Sequence, residues 1–430
     1  MKLLVKNAQI LPMTEDRTPQ DPWIYGDMAV EEGTIVAVGQ VPEDFRPDRV
    51  LDGQNRALLP GFVNSHTHTA MVLLRGFADD MPLMDWLENK IWPAENRLNG
   101  DMVYAGTLLG MAEMIRCGTT SFLDMYFHQD QVARAALQTG LRAVLSRGLI
   151  GFEPDFSGKL ADNVELKNRW AGQGEDRITV MLGPHAPYTC MPEHLDQVME
   201  MAHKHDMGIH IHVSETAGEV RDAMEKWGKS PVRHLYDLGV FDRPTVAAHC
   251  VHVDGEDMEL MLEKGVSVAH NPSSNLKLAS GFAPTAAMME KGINVSLGTD
   301  GASSNNNLNI VEEMHLASLI PKAFLGDATA MPAYEALKMA TVNGAKALGL
   351  SGVGCLKPGN RADFILVDLN RPHLIPGYNL VSDLVYSAQS TDVVTTVVNG
   401  RILMEDGEMK TMDLPAVMQE VRGFRKILEA

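Results

Sequence analysis

The residues of this chain best suited to chemistry are two histidines, His66 and His68, in the segment LPGFVNSHTHT. An apolar run from Ala57 to Val63 precedes them and predicts a buried strand. Because side chains two apart on a strand point to the same side, both imidazoles would project together from its end. Two imidazoles aimed at one point can hold a divalent metal ion. In a chain with 15 histidines the pair could also arise by chance, so further ligands must be found.

The segments around this pair alternate between apolar runs typical of strands and amphipathic runs typical of helices. Eight strands alternating with helices over about 300 residues are typical of a (β/α)8 TIM barrel, which we place at residues 57–350. An open doubly wound sheet is the rival fold, but no G-x-G-x-x-G follows an early strand. The predicted strands are ALLPGFVNS, TTSFLDM, LRAVLSRGL, ITVMLGPH, MGIHIHVSE, TVAAHCVH, VSVAHNP and INVSLGTD.

Both ends of the chain have a different pattern. Residues 1–56 and 351–430 contain alternating apolar and β-branched residues separated by glycine turns, which predicts antiparallel strands. We expect the two segments to form one small β-sandwich domain. The last segment, LPAVMQEVRGFRKILEA, predicts a terminal helix.

Composition limits the class of partner. With 37 basic and 56 acidic residues the formal net charge is −19, which argues against binding to nucleic acid or to anionic membranes. The start of the chain lacks the pattern of a secretory signal, and no apolar run reaches the length of a membrane helix. Four widely spaced cysteines favour a reduced cytoplasm over a disulfide framework or a zinc ribbon. We expect a cytoplasmic homo-oligomer that acts on a small molecule.

The C-terminal ends of the predicted strands carry the residues that could bind a metal. In a parallel barrel, functional residues lie at that end. Histidines occupy the ends of five predicted strands and a carboxylate ends the eighth, a concentration that scattered core histidines would not produce. We therefore predict a metal site in the barrel mouth. In chain order these residues are His66, His68, His185, His210, His212, His249, His252, His270 and Asp300.

A catalytic metal site commonly has about three protein ligands and an open position for water. His210 and His212 share one face of their strand, so strand parity does not separate them, but His212 lies nearer the strand end. The fourth strand ends in Pro184-His185 and not in a lysine that could bridge two metals as a carbamate, so we expect one metal. The predicted ligands are His66, His68, His212 and Asp300.

Two further residues could act beside the metal. Glu215 lies three residues past His212, where a carboxylate could shuttle a proton, although SETAGE also resembles a helix start. His249 could orient the activated water or bind the metal directly. The alternative for His249 is a buried histidine of the core.

Five segments resemble the metal-dependent amidohydrolase superfamily: PGFVNSHTHT, HVSET, AAHCVH, NPSSNLKLASG and LGTDGASSNN. The branch that they resemble contains 5′-methylthioadenosine/S-adenosylhomocysteine deaminases, with cytosine and guanine deaminases and triazine chlorohydrolases as relatives. The resemblance spans essentially the whole chain. It implies a (β/α)8 barrel with a β-sandwich built from both chain ends.

The resemblance also implies roles for the predicted site residues. His66, His68, His212 and Asp300 match ligands of one zinc ion, for which iron or another divalent metal is the alternative. Asp300 matches the residue that takes a proton from the attacking water. Glu215 matches the residue that protonates the substrate ring nitrogen and passes protons to the leaving group. His249 matches the residue that steadies the attacking hydroxide.

Substrate contacts follow from the segment LRGFADDMPLMDWLENKIWPAE, which resembles the deaminase branch. There Glu95 matches a residue that bonds the ribose hydroxyls, and Trp86 matches one that lines the substrate pocket. Arg147 and His185 match further substrate contacts, and Glu215 and Asp300 are expected to contact the substrate as well. Plainer explanations are loop packing for Trp86 and ordinary surface charge for Glu95 and Arg147. Arg169 could meet a substrate carboxylate.

The resulting hypothesis is hydrolytic deamination of an adenosine-type nucleoside to its inosine-type product and ammonia. The expected substrates are 5′-methylthioadenosine and S-adenosylhomocysteine, with adenosine as a further candidate. A free-base deaminase would need no Glu95, and a triazine chlorohydrolase is disfavoured by the set of Glu95, Arg147 and His185. A non-enzymatic metal-binding protein would close its metal site with four ligands and would not need Glu215.

Overall fold

The structure is a computed structural model that describes residues 1–152 and 154–429. Two sheets and the helices around them make up this part of the chain. The strands are β1 Lys2–Ile10, β2 Ile24–Glu31, β3 Thr34–Gly39, β4 Arg49–Asp52, β5 Arg56–Pro60, β6 Phe62–His68, β7 Thr119–Tyr126, β8 Arg142–Leu149, β9 Ile178–Pro184, β10 Ile209–Val213, β11 Thr245–His249, β12 Ser267–His270, β13 Asn294–Leu297, β14 Asp300–Gly301, β15 Phe364–Asp368, β16 Val393–Val398, β17 Arg401–Glu405 and β18 Glu408–Met409.

Helices cover the outside of one sheet and connect its strands. The α-helices are α1 Leu83–Trp86, α2 Trp92–Glu95, α3 Gly100–Arg116, α4 Gln129–Thr139, α5 Phe156–Trp170, α6 Gln173–Asp176, α7 Pro192–Lys204, α8 Ala217–Trp227, α9 Pro231–Asp237, α10 Gly255–Glu263, α11 Pro272–Lys277, α12 Thr285–Lys291, α13 Ile310–Leu325, α14 Ala333–Met339, α15 Val342–Ala347, α16 Leu380–Ser382 and α17 Leu414–Glu429. A π-helical turn, Leu87–Ile91, joins α1 to α2.

The parallel sheet runs in the order β13-β12-β11-β10-β9-β8-β7-β6-β14. Strands β13 and β14 are one stretch of chain interrupted at Gly298 and Thr299, so β13 pairs with β12 while β14 pairs with β6. The sheet therefore closes on itself as an eight-stranded barrel. This confirms the predicted (β/α)8 fold and the order of its strands.

One end of the barrel is filled by apolar side chains. This floor is capped by Ala345 of α15 and by Leu348. Because the floor closes that end, the opposite, C-terminal ends of the strands form the mouth. The strand residues of the floor are Val63, Leu123, Val144, Met181, Val246 and Ala269.

The second sheet combines both ends of the chain. Its order is β18-β17-β16-β15-β5-β1-β2-β3, and β4 pairs with β1. The apolar run before the first histidines is thus not one strand, as predicted, but two: β5 belongs to this sheet and β6 to the barrel. The chain changes sheets at Gly61, where a Cβ would lie 2.0 Å from Thr120 Cγ2, so only glycine fits.

The predicted terminal helix is confirmed as α17. Arg97 donates from Nη1 to the carbonyl oxygen of Leu428 at 3.0 Å, which ties α17 to the segment that follows α2. Among the described residues, none of the helices is both long enough and apolar enough to cross a membrane.

A buried ion pair joins the two sheets, and breaking it is expected to destabilise the protein. Arg142, at the start of β8, donates from Nε to Asp363 Oδ2 at 2.8 Å, and both side chains are at most 4% exposed. Replacing Asp363 by alanine leaves a buried cation unpaired, and we expect a loss of about 3–5 kcal/mol in the free energy of unfolding, measured by urea titration. The half-exposed pair of Arg56 and Asp406 is the control: Arg56→Ala should cost less than about 1 kcal/mol. Equal losses in both variants would contradict this reasoning.

Candidate active site

Strand β6 carries His66 and His68 and is irregular. It advances three residues, from Asn64 to Thr67, where its neighbour β7 advances two. This β-bulge reverses the alternation of inward and outward side chains along the strand. Val63 points into the barrel floor. Because of the bulge, His66 and His68 point inward too, where plain alternation from Val63 would turn them outward.

Three imidazoles are held so that their Nε2 atoms face one centre. In each ring Nδ1 is occupied by a hydrogen-bond partner, which fixes the orientation of the ring and is usual for histidines that bind metals. The Nδ1 contacts are His66 to His210 Nε2 at 2.7 Å, His68 to the Met125 carbonyl oxygen at 2.5 Å, and His212 to the His185 carbonyl oxygen at 2.6 Å.

Asp300 completes this centre, and its two oxygens have different surroundings. Oδ1 lies 3.1 Å from His68 Nε2 and 3.4 Å from His66 Nε2. Oδ2 accepts hydrogen bonds from the hydroxyls of Ser274 at 2.7 Å and Ser304 at 2.8 Å. One oxygen therefore faces the imidazoles while the other is held from behind.

The centre has the properties of a metal site. Ligand atoms of His66, His212, His249 and Asp300 all lie within 4.8 Å of one another. Among the described residues, buried Nε2 of His66 has no hydrogen-bond partner. Burial lowers the pKa of His68, but its hydrogen bond to Asp300 and the charge of Asp300 outweigh this and raise it to about 9. Burial is the largest effect on His66 and lowers the pKa of that ring to about 4. Imidazole nitrogens with one carboxylate oxygen suit zinc and similar divalent metals.

The structure separates His210 from His212. Both ring nitrogens of His210 are occupied, Nε2 by His66 and Nδ1 by the Ser146 hydroxyl at 2.9 Å. His210 therefore supports a neighbouring ring and does not face the centre, whereas His212 does. Strand parity alone could not make this distinction, because both side chains point inward.

Four residues at the C-terminal strand ends or directly after them have left-handed backbone conformations, which are costly for residues other than glycine. They are Ser214 with φ 51°, His249 with φ 72°, Cys250 with φ 47° and Asp300 with φ 58°. His249 ends β11, and its Nδ1 lies 2.8 Å from Asn275 Oδ1, which leaves Nε2 toward the centre. Such strained positions cluster at functional sites.

Glu215 lies beside this centre. Its side chain is 5% exposed and its Oε2 is 3.9 Å from His249 Nε2. Burial raises the pKa of Glu215, which favours a proton on the carboxyl group. The helix start that the sequence also indicated is present, but Thr216 caps α8 by accepting from the Glu219 amide at 3.1 Å. The Glu215 side chain is not needed for the cap.

A cleft of about 700 Å³, which includes space open to solvent, lies above the centre. Trp86 lines it, is 4% exposed, and donates its indole N–H to the Ala78 carbonyl oxygen at 3.0 Å. Glu95, at the end of α2, also lines the cleft and is 9% exposed, so it is not an ordinary surface charge. Burial, and then the nearby charge of Glu95, raise the pKa of Tyr126 well above its ordinary value.

His185 lines the same cleft. Burial, and then the charge of His68, lower the pKa of His185 to about 3, so its ring is neutral. Arg147, half-buried at the end of β8, lies in an adjoining cavity that also reaches Glu95. Among the described residues Arg169 lines neither cavity: it is exposed on α5 and pairs with Asp130.

Two strand-end histidines that the sequence pattern included do not face the centre. His252 Nε2 lies 2.6 Å from the carbonyl oxygen of Ser280. His270 follows Ala269, which belongs to the barrel floor, so alternation turns His270 to the outside of the barrel. A histidine at a strand end is therefore not sufficient to predict a residue of the site.

Several residues that surround the centre had no role predicted from the sequence. Ser274 and Ser304 bond Asp300, and Asn275 bonds His249. All three lie inside the segments NPSSNLKLASG and LGTDGASSNN that carried the resemblance. Their positions relative to Asp300 and His249 depend on how two loops fold, which spacing along the chain does not reveal.

Comparison with known proteins agrees with this architecture. The chain is 51% identical over 432 residues to a 5-methylthioadenosine/S-adenosylhomocysteine deaminase of Thermoanaerobacter pseudethanolicus, covering 100% of this chain and 99% of that one. It is 36% identical to the crystal structure of an adenosine deaminase from Xanthomonas campestris with bound zinc, with a TM-score of 0.94 and coverage of 99% and 98%. An atrazine chlorohydrolase from Arthrobacter aurescens, 23% identical with a TM-score of 0.91 and coverage of 98% and 100%, shares the fold.

The barrel, its polar mouth and the cluster of imidazoles around a carboxylate define a metal-dependent hydrolase. The sequence profile of the amidohydrolase family matches residues 57–403. The chain belongs to the amidohydrolase family.

Proposed function

We propose that this protein is a zinc-dependent hydrolytic deaminase of adenosine-type nucleosides. Its substrates would be 5′-methylthioadenosine and S-adenosylhomocysteine, with adenosine as a further candidate, and its products the inosine-type nucleoside and ammonia. The observation that carries the proposal is one cleft with a metal-binding cluster at its base and the buried carboxylate of Glu95 in its wall. The relative with this activity in its name, 51% identical over the full chain, supports it.

One zinc ion per chain would be held by His66, His68, His212 and Asp300, with iron or another divalent metal as the alternative. When bound there, such an ion supplies acidity, since it lowers the pKa of a bound water from about 15.7 to about 7. His249 Nε2, whose ring is fixed by Asn275, would hold the oxygen of the attacking water. Asp300 would accept the proton that this water loses.

Glu215 would carry the complementary proton. Its buried carboxyl group would place a proton on N1 of the purine ring, which makes C6 more electrophilic. The water oxygen would then bond to C6 as one of its protons passes to Asp300. Glu215, deprotonated by the transfer to N1, would carry the remaining proton of the new C6 hydroxyl to the amino group, which leaves as ammonia while the C6 carbonyl forms. The proton held by Asp300 would return to Glu215. The substrate ring must gain a proton while the water loses one. Glu215 would donate the first proton and Asp300 would accept the second.

The rest of the cleft would recognise the nucleoside. Glu95 would accept hydrogen bonds from the two ribose hydroxyls, because a carboxylate is suited to a diol. Trp86 would pack against the substrate, and the neutral ring of His185 would bond it. Arg147, in the adjoining cavity, would meet the 5′ substituent.

The expected setting is the cytoplasm, and the expected partners are the small substrate and further copies of the same chain. The formal net charge of −19 argues against nucleic acid as a partner. These points stay predictions. Subcellular fractionation and the mass of the native particle in solution would test the location and the oligomeric state.

The substrate class is tested by ammonia release from five compounds. We expect the zinc-loaded protein to act on 5′-methylthioadenosine, S-adenosylhomocysteine or adenosine and not on guanine or cytosine. Activity on the free bases alone would contradict the nucleoside proposal. One equivalent of metal per chain is expected, and two would contradict the single-metal site.

Replacing Glu95 by glutamine is expected to raise KM for the nucleoside about tenfold or more, with a smaller effect on kcat. The amide accepts at one oxygen only, so one of the two hydroxyl bonds, each worth about 1.5–3 kcal/mol when the partner is charged, is lost. The matched control is the 2′-deoxynucleoside, which already lacks one hydroxyl and should lose much less from the substitution. Equal losses on both substrates would show that Glu95 does not bond the diol.

A further inference from the structure

We propose that two serine hydroxyls fix which oxygen of Asp300 faces the metal centre, and that the buried Glu313 positions both serines. The inference rests on the metal site of the proposed function and is independent of which nucleoside is the substrate. Its members lie on three different elements: Ser274 on α11, Ser304 after β14, and Glu313 on α13.

The two serines act on one oxygen. Ser274 donates to Asp300 Oδ2 at 2.7 Å and Ser304 donates to the same atom at 2.8 Å, while Oδ1 lies toward His66 and His68. Two donors on Oδ2 lower its basicity and oppose rotation of the carboxylate. A metal at the centre would then meet Oδ1 alone, and Asp300 would bind through one oxygen rather than two.

Glu313 connects the segments that present these serines. Its Oε2 accepts from the backbone amide of Ser273 at 3.0 Å, and its Oε1 accepts from Asn305 Nδ2 at 2.7 Å. Ser273 immediately precedes Ser274, and Asn305 immediately follows Ser304. A single carboxylate therefore sets the distance between the two segments whose hydroxyls meet at Asp300.

Burying the carboxyl group of Glu313 costs free energy. Glu313 is fully buried, and burial raises its pKa to about 8. Its partners here are a backbone amide and a side-chain amide, whose hydrogen bonds offset only part of the cost of removing a carboxylate from water. Asn305 Nδ2 also donates to the Thr299 carbonyl oxygen at 2.7 Å, so the same amide ties α13 to the gap between β13 and β14. Through Asn305, Glu313 is thus linked to the chain just before Asp300, at Thr299, and to the chain just after it, at Ser304.

The serines are tested by Ser274→Ala, Ser304→Ala and the double variant. Zinc affinity is measured by competition with a chromophoric chelator, and the visible absorption of the cobalt(II)-substituted protein reports ligand geometry. Loss of a hydrogen bond to a metal ligand commonly costs 10–100-fold in affinity, so we expect about tenfold from each single change and more from the double variant. The cobalt spectrum of the double variant should also change, because Asp300 becomes free to bind through both oxygens.

Ser296→Ala is the matched control. Ser296 is fully buried and donates to the Val268 carbonyl oxygen at 2.9 Å in the barrel wall. The substitution removes a comparable buried hydroxyl without touching Asp300. We expect zinc affinity and the cobalt spectrum to stay as in the parent protein.

Glu313 is tested by Glu313→Gln and Glu313→Ala. In Glu313→Gln the side-chain oxygen can still accept from Asn305, but the amide nitrogen then faces the backbone N–H of Ser273. We therefore expect the zinc affinity of Glu313→Gln to lie between those of the parent protein and Glu313→Ala. A fall in kcat with little change in KM is expected, since Asp300 acts on the water and not on the nucleoside. Ser318→Ala, on the same helix with its hydroxyl bonded to the His315 carbonyl oxygen, is the control and should change neither.

Folded serine and Glu313→Gln variants with parental zinc affinity and cobalt spectrum would overturn the inference, even if they are less stable to heat. If Glu313→Ala does not fold, the serine variants and Glu313→Gln decide the outcome. A parent protein that binds zinc but releases ammonia from none of the three nucleosides would instead overturn the proposed function and leave this inference standing.

Discussion

Glu215→Gln is expected to keep the metal and to lower kcat about 10³-fold, within the 10²–10⁴ range of general acid–base catalysis. The side chain is 5% exposed, lies 3.9 Å from His249 Nε2, and has a pKa raised by burial, so it is suited to hold a proton and release it. Glutamine keeps the size of the group and can donate a hydrogen bond, but it cannot transfer a proton. KM should therefore change little.

The measurement combines steady-state ammonia release with metal analysis of the same sample. Glu225→Gln is the matched control: it makes the same chemical change on the exposed side of α8, the helix that follows Glu215. The control should keep parental kcat. Full activity in Glu215→Gln would remove this residue from the mechanism, and loss of the metal in that variant would make it a ligand and not a proton carrier.

His212→Ala is expected to reduce the bound metal from about one equivalent to near zero, and activity with it. His212 has its Nδ1 fixed by the His185 carbonyl oxygen, and its Nε2 faces His66 and Asp300. Structural and catalytic zinc sites seldom tolerate the loss of one of three or four ligands. The change should appear in metal analysis even before activity is measured.

His210→Gln separates a ligand from a residue that supports one. His210 bonds His66 Nδ1 and the Ser146 hydroxyl, so its replacement should weaken metal affinity about 10–100-fold without abolishing binding. His203→Gln, exposed on α7, should have no effect. If His210→Gln lost the metal completely while His212→Ala kept it, the assignment of the two residues would be reversed.

Much of the site follows from local patterns. The alternation of apolar strands and amphipathic helices predicted the barrel because strand and helix periods differ, and the polar ends of those strands marked the mouth. His66, His68, His212 and Asp300 lie together there, and Glu215 and His249 are beside them. That these residues lie close together was predictable, because parallel strands bring their C-terminal ends to one side of the barrel.

The alternation of side chains along a strand was less informative about which residues face the centre, because it assumes regular pairing between strands. It gave His210 and His212 the same direction, and only the contacts of each ring separated them. It could not show the bulge in β6, which exists only relative to β7. Position at a strand end, and not parity, grouped His270 with the site, whereas alternation from Ala269 turns its side chain to the outside of the barrel.

By itself, the sequence determined the fold class, the family and the residue types that gather at the barrel mouth, since these depend on short periodic patterns and motifs. Only the tertiary structure decided that a bulge turns His66 and His68 inward and that Glu95 is buried in the wall of the cleft. It also decided that Glu313 bonds the Ser273 amide and the Asn305 side chain, next to the two serines that bond Asp300. Each of these depends on contacts between segments far apart in the chain. Such contacts arise from packing and hydrogen bonding across elements, which no local pattern encodes.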